Sequence, residues 1–156
     1  MAAWELRDAE PGEAVEIANL HRRASYTWLS DRVLLEAHQD AIQPQHEAIA
    51  QGRVRVAVDP RGRLLGFSTV LPPAAGVVEL DSLFVEPDAM GLGVGSALVE
   101  DAAARAAALG AHAVDVTAND NAVGFYERTG FRITGEAGTR FGPAPRMRRN
   151  VSTGRP

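Results

Sequence analysis

The spacing of apolar residues changes period several times along the chain, and each change marks an element. Residues 3–7 are expected as a short strand. From Pro11 to about residue 24, Ala14, Ile17, Ala18 and His21 recur at helical spacing, and Pro11 suits a first helical position because its missing N–H is not needed there. Val33, Leu34 and Ala37 form the apolar side of a second helix over residues 32–41; Pro44 interrupts it, and a short helix is expected to follow as far as Gln51. The period then falls to two. Val54, Val56 and Val58 alternate with Arg55, Ala57 and Asp59, and Asp59-Pro60-Arg61-Gly62 has turn chemistry, so residues 53–71 read as a hairpin. Residues 77–85 are a third β-rich run, stopped by Pro87. An Ala-rich helix is expected over residues 96–109, with Gly110 as its stop. Val114 and Val116 alternate with Asp115 and Thr117 in a strand over residues 113–118. A short helix fits residues 121–128, ended by Gly130, and residues 131–136 are a strand. Residues 139–151 hold a last strand, which Pro143 and Pro145 would confine to a sheet edge.

Composition narrows the chemistry. A chain of 156 residues without repeats or low-complexity linkers is expected to form one domain, with a tail at residues 152–156. It has no cysteine, which excludes disulfides, thiolate metal sites and a cysteine nucleophile. All 16 basic residues are Arg, which excludes a phosphate-loop lysine, a Schiff-base lysine and a lysine base. Codon bias explains that usage most simply. A net charge of −4 argues against a nucleic-acid partner. Five acids between Glu5 and Glu16 could attract a cationic ligand, whereas only Arg residues carry charge after Glu136. No apolar run approaches the roughly 20 residues that span a bilayer, and no signal-peptide pattern opens the chain, so no membrane partner and a cytoplasmic location are expected. His21, His38, His46 and His112 are not spaced as metal ligands, so no metal is expected.

The densest chemistry lies between Glu79 and Gly95. Gly91-Leu92-Gly93-Val94-Gly95 joins a strand to a helix, where free backbone N–H groups and the helix dipole favour an anion such as a phosphate. The loop lacks the lysine of a phosphate-binding P-loop. It also lacks the third glycine of a dinucleotide fold, because Ser96 occupies that place.

Residues 83–98, Leu83-Phe84-Val85-Glu86-Pro87-Asp88-Ala89-Met90-Gly91-Leu92-Gly93-Val94-Gly95-Ser96-Ala97-Leu98, resemble the acetyl-CoA signature of the GNAT superfamily of N-acetyltransferases. Residues 119–131 resemble its second motif, N-x-x-A-x-x-F-Y-x-x-x-G-F. The resemblance covers roughly residues 3–150 and implies an α/β (α+β) GNAT fold: a central mixed, mostly antiparallel sheet of six to seven strands flanked by about four helices, in the order β-α-α-β-β-β-α-β-α-β-β. It departs from the family at Met90, where Arg or Gln is usual, so one charge-assisted hydrogen bond to the cofactor, worth about 1.5–3 kcal/mol, is missing.

The resemblance implies acetyl-CoA as co-substrate, bound by Leu83, Phe84 and Val85 on the strand, by Met90, Gly91, Leu92, Gly93, Val94, Gly95 and Ser96 in the loop, and by Asn119 and Tyr126. Asn119 has a competing reading as a helix cap. Tyr126 is expected to protonate or hydrogen-bond the departing thiolate. Glu79 is expected near the acceptor as a general base, with Asp81 and Glu86 as rivals, and half-burial would raise its pKa toward the useful range. Tyr26 and Trp28 fall where such enzymes line the acceptor site, or are plain packing. The expected reaction is direct acetyl transfer to a primary amine of a small molecule. The alternatives are a protein or peptide amine, or an acyl-CoA-binding module with little turnover. Homodimers are common among such relatives, and a homodimer is one expected state.

Overall fold

A computed structural model describes residues 3–26 and 29–151, the stretch 29–31 by backbone alone. The first strand, β1 (Glu5–Asp8), leads to a helix whose start is set by charge. The Glu13 carboxylate accepts the N–H of Glu10 at 2.8 Å and both terminal nitrogens of Arg7 at 2.8 Å. Pro11 therefore opens a 3-10 turn, and α1 (Ala14–Ser25) follows it. α2 (Leu29–Ala37) begins and ends earlier than its apolar side predicts, because His38 at φ −133°, ψ 67° breaks the helix before a separate turn at Gln39–Ala41. The short helix after Pro44 is α3 (His46–Ala50). The hairpin is β2 (Val54–Val58) and β3 (Leu64–Val70), and β4 spans Val77–Val85. Then come α4 (Val94–Ala108), β5 (Ala113–Thr117), α5 (Val123–Arg128), β6 (Arg132–Thr139) and β7 (Gly142–Asn150).

The seven strands form one sheet in the order β1-β2-β3-β4-β5-β7-β6. β4 and β5 run parallel, while β1–β2, β2–β3, β5–β7 and β6–β7 run antiparallel. The mixed sheet and element order implied by the resemblance are thus present, together with the short helix expected after Pro44, α3.

The last strand corrects its expectation. β7 is interior, between β5 and β6. It tolerates its prolines because the β5 ladder covers only Arg146–Asn150; Pro145 stands just past it, where its carbonyl accepts the Ala118 N–H at 2.9 Å and no donor is asked of it, and Pro143 lies farther out against β6. A residue without an N–H needs only a side where no donor is required, and the end of the β5 ladder supplies it.

The chain divides into two compact units, Met1–Thr69 with Ser82–Leu98 and Val70–Asp81 with Val99–Pro156. In the first, Ile17 and Leu20 of α1, Ile49 of α3, Val54 and Val56 of β2 and Phe67 of β3 form one apolar cluster, with Phe84 packed against it. A second cluster joins Ala57, Leu65, Ala89, Val94 and Leu98, flanked by Trp4, Leu6, Leu83 and Val85. Successive residues of β4 therefore pack into alternate clusters, as period two requires. Full burial of a Leu or Phe side chain contributes about 1.5–3 kcal/mol.

In the second unit, Val78, Leu80, Val114, Val116 and Met147 are buried. Period two puts Glu79, Asp115, Arg146 and Arg148 on the opposite face of the same strands. Trp28 and the tail at residues 152–156 lie outside the described residues.

Candidate active site

The glycine loop owes its shape to backbone freedom. Gly91 and Gly93 adopt φ of +86° and +83°, a region that side-chain-bearing residues rarely visit. These two turns deliver the chain into α4, which starts at Val94, two residues before the expected start. The carbonyl of Gly93 accepts the N–H of Ala97 at 3.0 Å, the first bond of the helix. The N–H groups of Gly93, Val94, Gly95 and Ser96 have no carbonyl one turn behind them, so they point out of the helix start as donors. No acidic residue stands in the first turn of α4. Around Gly91 and Gly93 the space a Cβ would fill is open. Amide donors at a positive helix end, with open space beside the glycines, fit a pyrophosphate. The Met90 side chain is exposed and brings no charge to it.

Two acids beside the loop would repel such an anion, and both are neutralised. Buried Glu86 accepts two bonds from Arg23 of α1, at 2.9 and 2.7 Å, and has Arg63 at 3.7 Å. Asp88 takes Arg63 of the β2–β3 turn at 2.7 and 2.9 Å. The hydrogen bonds to these carboxylates raise the pKa of both guanidinium groups. With both its oxygens held by Arg23, Glu86 is an anchor between β4 and α1, which sets it apart from its rivals as a base.

β4 is built to leave backbone groups unpaired. Its pairing with β5 covers Val77–Leu80, so Leu83, Phe84 and Val85 run beyond the end of β5. In an antiparallel ladder each bond joins residues directly opposite each other. Leu71 donates to Glu79 and Glu86 donates to Leu65, so β4 spends seven residues where β3 spends six. The extra residue is a bulge, which bends the strand. Gly66 of β3 allows the close packing beside it: a Cβ there would meet Val94 Cγ1 at 2.9 Å and the Phe84 carbonyl at 3.0 Å.

The second motif lies in the second unit. Asn119 caps the turn at Asp120–Ala122, its side-chain oxygen accepting the Asn121 N–H at 2.9 Å. Tyr126 on α5 is 6% exposed, and its ring meets Phe125 and Phe131 edge-on at 5.1 and 5.2 Å. Burial pushes its phenol well above the ordinary value, so it carries its proton throughout the neutral range. Its hydroxyl has no hydrogen-bond partner among the described residues, where no side-chain nitrogen or oxygen is both buried and unpartnered. The oxygen is therefore not sealed off completely, although the residue as a whole is buried.

Glu79 is half-buried, as expected, but it is not isolated. Its carboxylate meets Arg146 at 2.6 Å, and Arg146 also reaches Thr117 at 3.0 Å and Asp115 at 3.3 Å. Asp115 in turn takes two bonds from Arg148, at 2.7 and 3.1 Å. The hydrogen bond to Glu79 raises the Arg146 pKa. This charge-balanced network across β4, β5 and β7 was invisible to sequence reasoning, because its partners lie 29 to 67 positions apart. Asp81 is exposed on the same strand.

Two further residues escaped the sequence analysis. Trp4 donates its indole N–H to the Leu92 carbonyl at 3.4 Å, tying the start of the chain to the loop. His21 stacks on Phe84 with ring centroids 3.9 Å apart. Neither carries a local signal, because both partners lie more than 60 residues away. Tyr26 faces the guanidinium of Arg32 at 5.9 Å. Among the described residues no group of His, Asp and Glu could hold a metal ion, and no helix is long and apolar enough to cross a membrane.

Comparison with known proteins follows the same lines. The chain is similar to the peptidyl-lysine N-acetyltransferase YjaB of Escherichia coli, 38% identical over 82 residues, which is 53% of this chain and 51% of that protein. The chain thus spans about half the length of the curated relative it matches. A GCN5-related N-acetyltransferase from Rhodopseudomonas palustris shares the fold with a TM-score of 0.78 at 22% identity, covering 97% of this chain and 98% of that one. The PaiA N-acetyltransferase of Thermoplasma acidophilum, solved in complex with coenzyme A, does so at 0.75 with 15% identity, over 95% and 99%. Residues 14–131 match the model of the acetyltransferase (GNAT) family, and the chain belongs to that family.

Proposed function

We propose that the chain acts as a single-domain N-acetyltransferase that moves the acetyl group of acetyl-CoA directly to a primary amine of a small molecule. The observation that carries this reading is the loop from Met90 to Ser96, whose two positive-φ glycines lead into the amide donors at the start of α4. In it the backbone of residues 91–96 holds the pyrophosphate, with Met90 alongside. The N–H groups of Leu83, Phe84 and Val85, beyond the end of β5, hold the pantetheine arm and polarise the thioester carbonyl. Asn119 positions that arm from the end of β5. Tyr126, with its proton retained, donates a hydrogen bond to the departing thiolate. Glu79 serves the acceptor side, its carboxylate held in place by Arg146. With no cysteine, the acetyl group has no thiol on the protein to rest on.

The likeness to a peptidyl-lysine N-acetyltransferase favours a second acceptor, the side-chain amine of a peptide lysine. Thiol release measured across a panel of small amines and lysine peptides separates the two. Turnover confined to the small amines supports the first reading, and turnover confined to the peptides supports the second. Acetyl-CoA binding without turnover on any amine would make the protein a binding module. At 1,000 times Kd, bound acetyl-CoA should add about 4 kcal/mol to stability; a thermal midpoint unmoved at such concentrations would remove all three readings.

A further inference from the structure

His21 lies on the inner face of α1, and its imidazole stacks on Phe84 at 3.9 Å with 29° between the planes and approaches Phe67 at 5.9 Å. A ring used only for packing would be better served by Phe or Leu, which hide no polar atoms. Neither ring nitrogen bonds to a described residue, and none of the buried side-chain nitrogens or oxygens among those residues lacks a partner. Each nitrogen therefore keeps some solvent exposure at the edge of a ring whose flat face is packed. Phe84 is the residue over which the ring lies, and its backbone is in the stretch of β4 that outruns β5.

We propose that His21 is the group that accepts the proton of the acceptor amine as acetyl transfer occurs at β4. This rests on the acetyltransferase reading above. The amine nitrogen adds to the thioester carbonyl carbon, and the C–S bond breaks as the C–N bond forms. A ring nitrogen of His21 takes the proton that the nitrogen must lose, then passes it to solvent. The sulfur leaves as thiolate and takes a proton from solvent. The imidazole need not strip a free ammonium, since nitrogen becomes far more acidic once it is bonded to the acyl carbon. Burial and the neighbouring Arg22 charge lower the His21 pKa to about 4, so the ring is neutral at neutral pH and, as a weak base, takes the proton only as the N–C bond forms. The other charged groups close by on α1 and β4, Arg23 and Glu86, are bonded to each other.

The test uses the full chain with saturating acetyl-CoA. His21→Phe keeps a flat ring on Phe84 and removes both nitrogens; His21→Gln restores a hydrogen-bonding side chain. The expected result is a fall in kcat of about 10²-fold or more for His21→Phe, with partial recovery in His21→Gln and no change in acetyl-CoA Kd or thermal midpoint at pH 7.5. A His21→Phe enzyme within about threefold of wild type would overturn the proposal, as would a loss matched by a lowered thermal midpoint. A wild-type protein that turns over no amine would instead count against the acetyltransferase reading. In that case the imidazole nitrogen resonances, followed while a primary amine is added to the coenzyme A complex, decide the matter. A shift of the His21 ring nitrogens sustains the contact, and their constancy refutes it.

Discussion

The loop from Met90 to Ser96 and the segment from Asn119 to Phe131 carry two motifs of one family, but they are made of different material. In the loop the working groups are backbone amides. Two glycines at positive φ aim them, and the exposed side chains of Met90 and Leu92 add no charge or hydrogen bond. In the later segment one phenol, on a ring packed between Phe125 and Phe131, carries the chemistry. A backbone site tolerates side-chain change as long as its dihedrals survive, which is why the loop can hold Met at its first position. A side-chain site fails with the loss of one atom. The same contrast separates the flanking acids: Glu86 is consumed by Arg23 as structure, while Glu79 sits in a charge-balanced network that keeps some exposure.

The sharpest break of that comparison is Tyr126→Phe. It removes one oxygen and leaves both ring contacts, so kcat for thiol release should fall by about 10²-fold or more while melting and acetyl-CoA binding stay unchanged. Unchanged turnover would strip the segment of its side-chain role. A smaller effect tests whether side chains packed on the loop-bearing unit serve stability. The His21 pKa is lowered to about 4 from 6.5, so between those values the unfolded chain binds a proton that the folded chain does not. Stability from this group is full above about pH 6.5 and is lost as pH falls toward 4, by about 3 kcal/mol. Denaturant melts at pH 7.5 and 4.5 should show His21→Phe losing less stability than wild type over that interval.

Two substitutions in the loop are expected to act more gently. Gly91→Ala meets no atom but must adopt a φ of +86°, which costs about 1–2 kcal/mol. Calorimetry should show acetyl-CoA binding weakened by about tenfold, and Gly91→Asn should lose less because Asn tolerates that region. Met90→Arg supplies the charge that the loop lacks. At an exposed position it should tighten acetyl-CoA by about threefold to tenfold, an effect that salt removes. No change would mean that the backbone alone saturates the pyrophosphate.

Much of this was legible before any coordinates. Alternating Val54, Val56, Val58 and Val114, Val116 appear as β2 and β5, and the apolar spacing of Ala14, Ile17 and Ala18 appears as the buried face of α1. Local rules failed where a local competitor went unseen. His38 ends α2 before residue 41, and Gly95 is absorbed into α4 because Val94 is already buried at the helix start. The largest miss was β7. Proline chemistry argued correctly for positions where no donor is needed, but those positions lie past the end of the β5 ladder and not at the sheet's edge.

By itself the sequence determined the elements, the absence of thiol and lysine chemistry, and the backbone-built loop. Those depend on period, residue type and glycine spacing, all of which are read within a few residues. The tertiary structure alone decided what each charged or aromatic side chain is for. Glu86 and Glu79 look equivalent along the strand, yet Arg23, from 63 positions earlier, fastens the first, and Arg146, from 67 positions later, steadies the second. His21 gained its place over Phe84 in the same way. A carboxylate or an imidazole takes its properties from whichever partners surround it, and over such separations only the folded chain brings those partners together.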